Sequence, residues 1–147
     1  MDIVIRKATN EDVRSIHDLV TELAVYENEP NAVKVDVAYY SQCFKENIFQ
    51  ALVAEENGEV IGTAVFYMTF STWRGKMMYL EDFVVKQNHR NKGIGQQLWD
   101  AWITESKSQD VKLVKWQVLD WNVNATRFYR KNGATIEKEW WNGKIVF

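Results

Sequence analysis

Met77-Met-Tyr-Leu-Glu-Asp-Phe-Val-Val-Lys-Gln-Asn-His-Arg-Asn-Lys-Gly-Ile-Gly95 decides the fold. Its first part, Met77–Val85, is the most apolar strand-like run in the chain. A short polar loop follows and enters a helix, marked by Ile94, Leu98 and Trp102 and reaching about Ser106. A strand that leaves through a glycine loop into a helix, with a further strand beyond it, predicts a crossover within an α/β sheet.

Upstream, Ile3–Arg6 reads as a short strand. Thr9-Asn-Glu-Asp12 starts a helix with a Thr cap and early acids, and Val13, Ile16, Val20 and Leu23 carry it to about Tyr26. A weaker helix covers Asp36–Lys45. Phe49–Glu55 and Val60–Phe70 are strands joined by a hairpin at Asn57-Gly58, a pair that supplies positive φ angles. Downstream, Val111–Leu119 reads as a strand, Ala125–Lys131 as a short helix closed by Asn132-Gly133, and Ala134–Trp141 and Lys144–Phe147 as terminal strands turned at Asn142-Gly143. The expected fold is α/β, a mixed central sheet of about six to seven strands flanked by about four helices. With no repeat or linker, 1–147 reads as a single domain.

The loop after the apolar strand suits an anion. Gly93 and Gly95 let main-chain N–H groups approach a ligand, and the helix start adds a positive dipole end. Lys86, Arg90 and Lys92 supply cations, with no acid between Lys86 and Trp99. The spacing is neither a Walker loop nor Gly-x-Gly-x-x-Gly, and a glycine turn with solvated charges is the plain alternative.

Glu81 and Asp82 interrupt the strand. Simple alternation places Glu81 with Tyr79, Phe83 and Val85, and Asp82 with Leu80 and Val84 on the opposite face. Burial of such a carboxylate would raise its pKa and suit it to base catalysis near neutrality; a splayed, wet strand is the other reading. Later, Asn122 is placed to cap a turn or reach a ligand amide. Ala125, Phe128 and Tyr129 share a helical face, where Tyr129 is either a proton donor or a rim tyrosine.

Composition narrows the field. Acids exceed Lys plus Arg by 20 to 18, so a phosphate-backbone partner is disfavoured. With one cysteine, Cys43, no intramolecular disulfide or thiolate metal cluster can form; two histidines argue against a histidine-rich metal site, and no metal is expected. The acidic start has no signal-peptide pattern and no apolar run approaches a membrane span, so a cytoplasmic chain with no membrane partner is expected.

Taken together, Arg90-x-x-Gly93-x-Gly95 and Asn122-x-x-Ala125-x-x-x-Tyr129-x-x-x-Gly133 resemble the GCN5-related N-acetyltransferase (GNAT) superfamily, with element order agreeing along the whole chain. Glu22-Leu-Ala-x-Tyr26-Glu27, Trp73-x-Gly75-Lys76, Tyr79-Leu-Glu-Asp-Phe83, Trp121-Asn122 and Phe128-Tyr129 resemble its diamine acetyltransferase branch, which includes spermidine/spermine and thialysine enzymes. The resemblance implies acetyl-CoA as co-substrate and direct transfer to a primary amine of a small molecule. It implies that the backbone of Phe83, Val84 and Val85 meets the pantetheine arm, with the Val85 N–H on the thioester carbonyl. It further implies that Arg90, Asn91, Lys92, Gly93, Ile94 and Gly95 hold the pyrophosphate, that Asn122 and Phe128 also contact the cofactor, that Tyr129 protonates the thiolate, and that Glu81 takes the ammonium proton directly or through water. Glu27, Glu29 and Asp82 are candidates for a second substrate cation, and Trp73 for a cation–π wall, with surface acids and a packed indole as the alternatives. A homodimer is expected. Acetylation of an amino acid, aminoglycoside or protein amine, or a non-catalytic acyl-CoA-binding module, remain competing readings.

Overall fold

A computed structural model describes residues 2–147, in two compact units, one ending at Trp116 and one spanning Gln117–Phe147. The first unit is built on five strands: β1 (Ile3–Lys7), β2 (Gln50–Glu56), β3 (Glu59–Ser71), β4 (Gly75–Val85) and β5 (Leu113–Trp116). They lie side by side in chain order, antiparallel from β1 to β4 and parallel between β4 and β5. The parallel step requires a crossover, and α3 (Ile94–Ser108) provides it. Asn57 and Gly58 adopt φ angles of 51° and 80°, so the β2–β3 hairpin forms as the dipeptide dictates.

Alternation divides the sheet's two faces between the helices. Ala51, Val53, Val65 and Val84 pack against Ile16, Leu19 and Val20 of α1 (Val13–Tyr26), with Tyr40 of α2 (Val37–Lys45) against the same cluster. Ala54 and Val85, one residue out of phase, pack with Ile61 against Ile94 of α3. Phe66 and Phe83 meet Trp102 and Trp99 on that second face. Two large indoles there explain part of the high tryptophan content. Asp12, just before α1, is buried and takes a bidentate bond from Arg6 at 2.8 and 3.0 Å, plus the Thr9 N–H at 2.7 Å. The guanidinium holds the Asp12 carboxyl below its usual range and ties β1 to the start of α1.

Two irregularities shape β4. Its pairing with β3 runs Val65↔Asp82 and then Phe66↔Leu80, so Glu81 is a bulged residue with no partner across the ladder. Pairing with β5 ends at Leu80↔Trp116. The predicted strand Val111–Leu119 is therefore shorter than expected: the bulge bends β4 immediately after its last parallel pair, and the ladder does not continue beyond it.

In the second unit, α4 (Val123–Lys131) begins at Asn122, whose side chain accepts the Ala125 N–H at 3.2 Å. It closes at Gly133, φ 88°, where the Gly133 N–H reaches Arg130 O at 3.0 Å. The expected terminal strands Ala134–Trp141 and Lys144–Phe147 do not form, leaving five strands rather than six to seven. Asn142 and Gly143 lack the positive φ angles of the hairpin turn, and the Asn142 side chain instead accepts a bond from Gln117. Trp140, Trp141, Ile145, Val146 and Phe147 are exposed. Alternation without a ladder partner does not make a strand.

Candidate active site

The bulge at Glu81 corrects the expected placement of the two acids. Tyr67 and Val65 are alternate residues of β3 and share a face. Asp82 is registered opposite Val65, while the Tyr67 hydroxyl donates to Glu81 Oε1 at 3.3 Å. The extra residue therefore brings Glu81 and Asp82 to the same face, the one covered by α1 and α2, where a regular strand would have separated them. Tyr79 stays with Glu81 as alternation predicts, stacked on Tyr67 at 5.4 Å between ring centroids. Phe83 and Val85 fall on the other face, against α3.

This face is unusually acidic. Asp82 is half-buried, and desolvation, then the charges of Glu81 and Glu27, push its carboxyl up to about 7. Glu27, at the end of α1, is itself raised by burial. Burial and then the Asp82 and Glu81 charges push the Tyr40 phenol up to about 12. Burial, then Glu81, pushes Tyr67 to the same value, and Tyr79 is raised by the same two causes. Glu81 itself is exposed. Carboxylates and neutral phenols facing one another leave a site short of positive charge, which an ammonium would relieve.

Beyond Leu80 the outer edge of β4 has no strand partner in the β4–β5 ladder. The Lys86 N–H continues the β3 ladder by donating to Ile61 O at 2.8 Å. Alternation then turns the N–H and C=O of Val85 to the opposite, outer edge. The Val85 carbonyl is indeed met there by Arg90 Nε at 2.9 Å. The side chains of Val84 and Val85 are core, and the same alternation turns the Val84 N–H and C=O toward β3, so the main chain of Phe83 and Val85 is what faces this edge.

The loop that follows is held at several points. Arg90 bonds Val85 O and stands 5.3 Å over the Tyr26 ring. The Gln87 N–H donates to Glu22 Oε1 at 3.2 Å, His89 Nδ1 lies 3.1 Å from Glu56 Oε2, and Lys86 pairs with Glu59. Lys86 is thus engaged by a carboxylate, because the β2–β3 turn brings Glu59 to it, whereas Lys92 is exposed. Asn91 and Gly93 take φ angles of 62° and 79°, and Gly93 is the residue from which α3 starts. The opening amides of α3, at Ile94 and Gly95, have no acceptor within the helix. A Cβ added at Gly93 or Gly95 would meet nothing within 4 Å. Gly93 is called for by its left-handed backbone; at Gly95, with an ordinary φ, nothing in the protein would meet a side chain, and the open start of α3 suits a bulky diphosphate.

Other predicted residues stand apart from the acidic face or belong to the second unit. Trp73 is exposed in the turn between Ser71 and Gly75, roughly 20 Å of extended strand from Glu81, so the structure does not bring it to the acids. Asn122, Phe128 and Tyr129 lie in the second unit, with Tyr129 buried and its ring 5.7 Å from that of Phe128. Sequence reasoning missed Tyr40 and Tyr67. Tyr67 was accessible in principle, since a tight turn pairing Ser71 with Gly75 sets Tyr67 opposite Tyr79. Among the described residues no group of three or more His, Cys, Asp or Glu side chains is arranged to hold a metal, and no helix is long and apolar enough to cross a membrane.

Residues 12–134 match the acetyltransferase (GNAT) family. The thialysine N-epsilon-acetyltransferase of Bos taurus is 34% identical over 152 residues, covering 95% of this chain and 89% of the bovine protein. The spermidine/spermine N(1)-acetyltransferase-like protein 1 of Homo sapiens is 31% identical, covering 88% of this chain and 20% of that protein. Among solved structures, an aminoglycoside acetyltransferase from an uncultured soil metagenomic sample, in complex with sisomicin, superposes with a TM-score of 0.82 over 99% of this chain and 96% of that one; at 18% identity it shows the fold. The family match and the kinship with thialysine acetyltransferases both extend over most of the length: the chain belongs to the GNAT family and is an N-acetyltransferase.

Proposed function

We propose that this enzyme moves the acetyl group of acetyl-CoA directly onto a primary amine of a small cationic substrate, a diamine, polyamine or thialysine-like molecule. The observation that carries the reading is the bulge that sets Glu81 and Asp82 on one face, at the level where β4 loses its outer neighbour. Acetyl-CoA supplies an activated acyl carbon and a thiolate leaving group. The outer edge of Phe83 and Val85 lines the pantetheine, with the Val85 N–H toward the thioester carbonyl. The turn from Arg90 through Asn91, Lys92, Gly93, Ile94 and Gly95 receives the pyrophosphate.

A primary amine, with a pKa near ~10, must lose a proton before it attacks. Glu81 and Asp82 receive it as a pair, and Asp82 is the member that holds it, because its charged form is the more disfavoured. Glu27 and Glu81 then face a second cation on the substrate. Tyr129 returns a proton to the departing thiolate, and Asn122 and Phe128 contribute to cofactor contact; the Asn122–Gly133 motif supports these three roles. A cytoplasmic setting, a homodimer and a single catalytic domain over 1–147 belong to the same reading.

The test is a panel of amines with acetyl-CoA, followed by release of free thiol. Diamines, polyamines and thialysine are expected to outrun amino acids that lack a second amine; thiol release with none of the panel would remove the proposal. Gly95→Ala separates the loop's binding role from its structural one. Alanine is the better helix residue by about 1 kcal/mol and meets no protein atom within 4 Å. The variant is expected to melt no lower than the parent yet bind acetyl-CoA at least about tenfold more weakly, measured by calorimetry. Equal affinity would place the pyrophosphate elsewhere.

A further inference from the structure

We propose that Tyr67 is a positioning residue of the reaction: its hydroxyl anchors the Glu81 carboxylate beside Asp82 and so decides which of the two acids carries the proton. This rests on the role given above to the carboxylate pair. The geometry is specific to the bulge. Glu81 has no ladder partner to fix its backbone direction, and its side chain is exposed. Left alone, such a carboxylate would turn into solvent, where its charge is screened and its influence on Asp82 lost. One bond opposes that turn, the donation from Tyr67 Oη to Glu81 Oε1 at 3.3 Å. The phenol is itself held by stacking on Tyr79 and by its place on β3 two residues from Val65, the residue registered opposite Asp82.

The direction of the effect follows from the groups that face Asp82. Glu27 comes from the end of α1, Tyr40 from α2, Tyr67 from β3 and Glu81 from β4, with Tyr79 of β4 facing Glu81. His17 of α1 packs nearly perpendicular to the Tyr40 ring, 4.8 Å between ring centroids. The phenols are neutral near pH 7, so Glu81 and Glu27 are the anions that oppose ionisation of Asp82. Of these, Glu81 is the one tied by a phenol hydroxyl. Removing that hydroxyl releases one of the two opposing charges while leaving the ring packing in place.

The experiment follows the Asp82 carboxyl by 13C NMR in the full chain, against Asp82→Asn to assign the signal, and in parallel the pH profile of kcat/KM. In Tyr67→Phe the Asp82 midpoint is expected to fall by about half a pH unit or more, and the acid limb of kcat/KM to move the same way. Glu81→Gln should move the midpoint in the same direction and further, and Tyr79→Phe, which keeps the stacking ring, should leave it in place. A Tyr67→Phe midpoint equal to the parent's overturns the proposal, as does a shift equalled by Tyr79→Phe. The NMR titration does not depend on turnover. A shifted midpoint in a chain that acetylates no amine would leave the Tyr67 anchor standing and remove the functional reading instead.

Discussion

Asp82→Asn is expected to lower kcat/KM at pH 7 about a hundredfold and, at the same time, to make the folded chain more stable at alkaline pH. The two effects have one cause. Burial and the neighbouring acids push the Asp82 carboxyl from 3.8 to about 7, so the native state holds a proton there that the unfolded chain releases. Between these two values the native state binds more protons than the unfolded state, and stability falls as pH rises. The contribution is fully present below about pH 4 and lost above about pH 7, a loss of at most about 4 kcal/mol and less once partial exposure is allowed for. Asparagine removes the buried charge. Its melting temperature should exceed the parent's at pH 8, and the gap should close toward pH 4. The activity loss should shrink above pH 9, where more of the amine is already neutral. An Asn variant as active as the parent at pH 7 would exclude Asp82 from proton transfer, and one less stable at pH 8 would show that its charge is not a burden on the fold.

Tyr129→Phe should lower kcat at least about tenfold with little change in the Kd for acetyl-CoA. The residue is buried on α4 beside Phe128, and phenylalanine keeps the ring. What is lost is the hydroxyl proposed to protonate the thiolate, a group that acts only as the carbon–sulfur bond breaks. Loss of such a group lowers kcat and kcat/KM together. Steady-state rates and calorimetry on the same preparation check the split. Unchanged turnover would remove Tyr129 from the mechanism, and a weakened Kd with unchanged kcat would recast it as a binding residue.

These expectations differ in how far the sequence alone could reach them. Arg90-x-x-Gly93-x-Gly95 is a local device: its glycines, its entry into α3 and the left-handed angle at Gly93 lie within a few residues of one another. Asn57-Gly58 formed the turn its residues prefer, whereas Asn142-Gly143 did not; a hairpin needs paired strands as well as a favourable dipeptide. Glu81 and Asp82 show the sharper divergence. Alternation sends neighbours to opposite faces, and only pairing with β3 reveals that one residue is left out of the ladder.

The order of strands and helices as far as α4, the glycine loop and the kinship with amine acetyltransferases were written in the chain, because each rests on contacts or patterns between residues close in sequence. Tertiary structure alone decided that two adjacent acids share a face, that Tyr67 reaches one of them and that Glu59 engages Lys86. Each depends on strand register, set by residues from 14 to 27 positions apart, and a shift of one residue in register turns a side chain to the other side of the sheet.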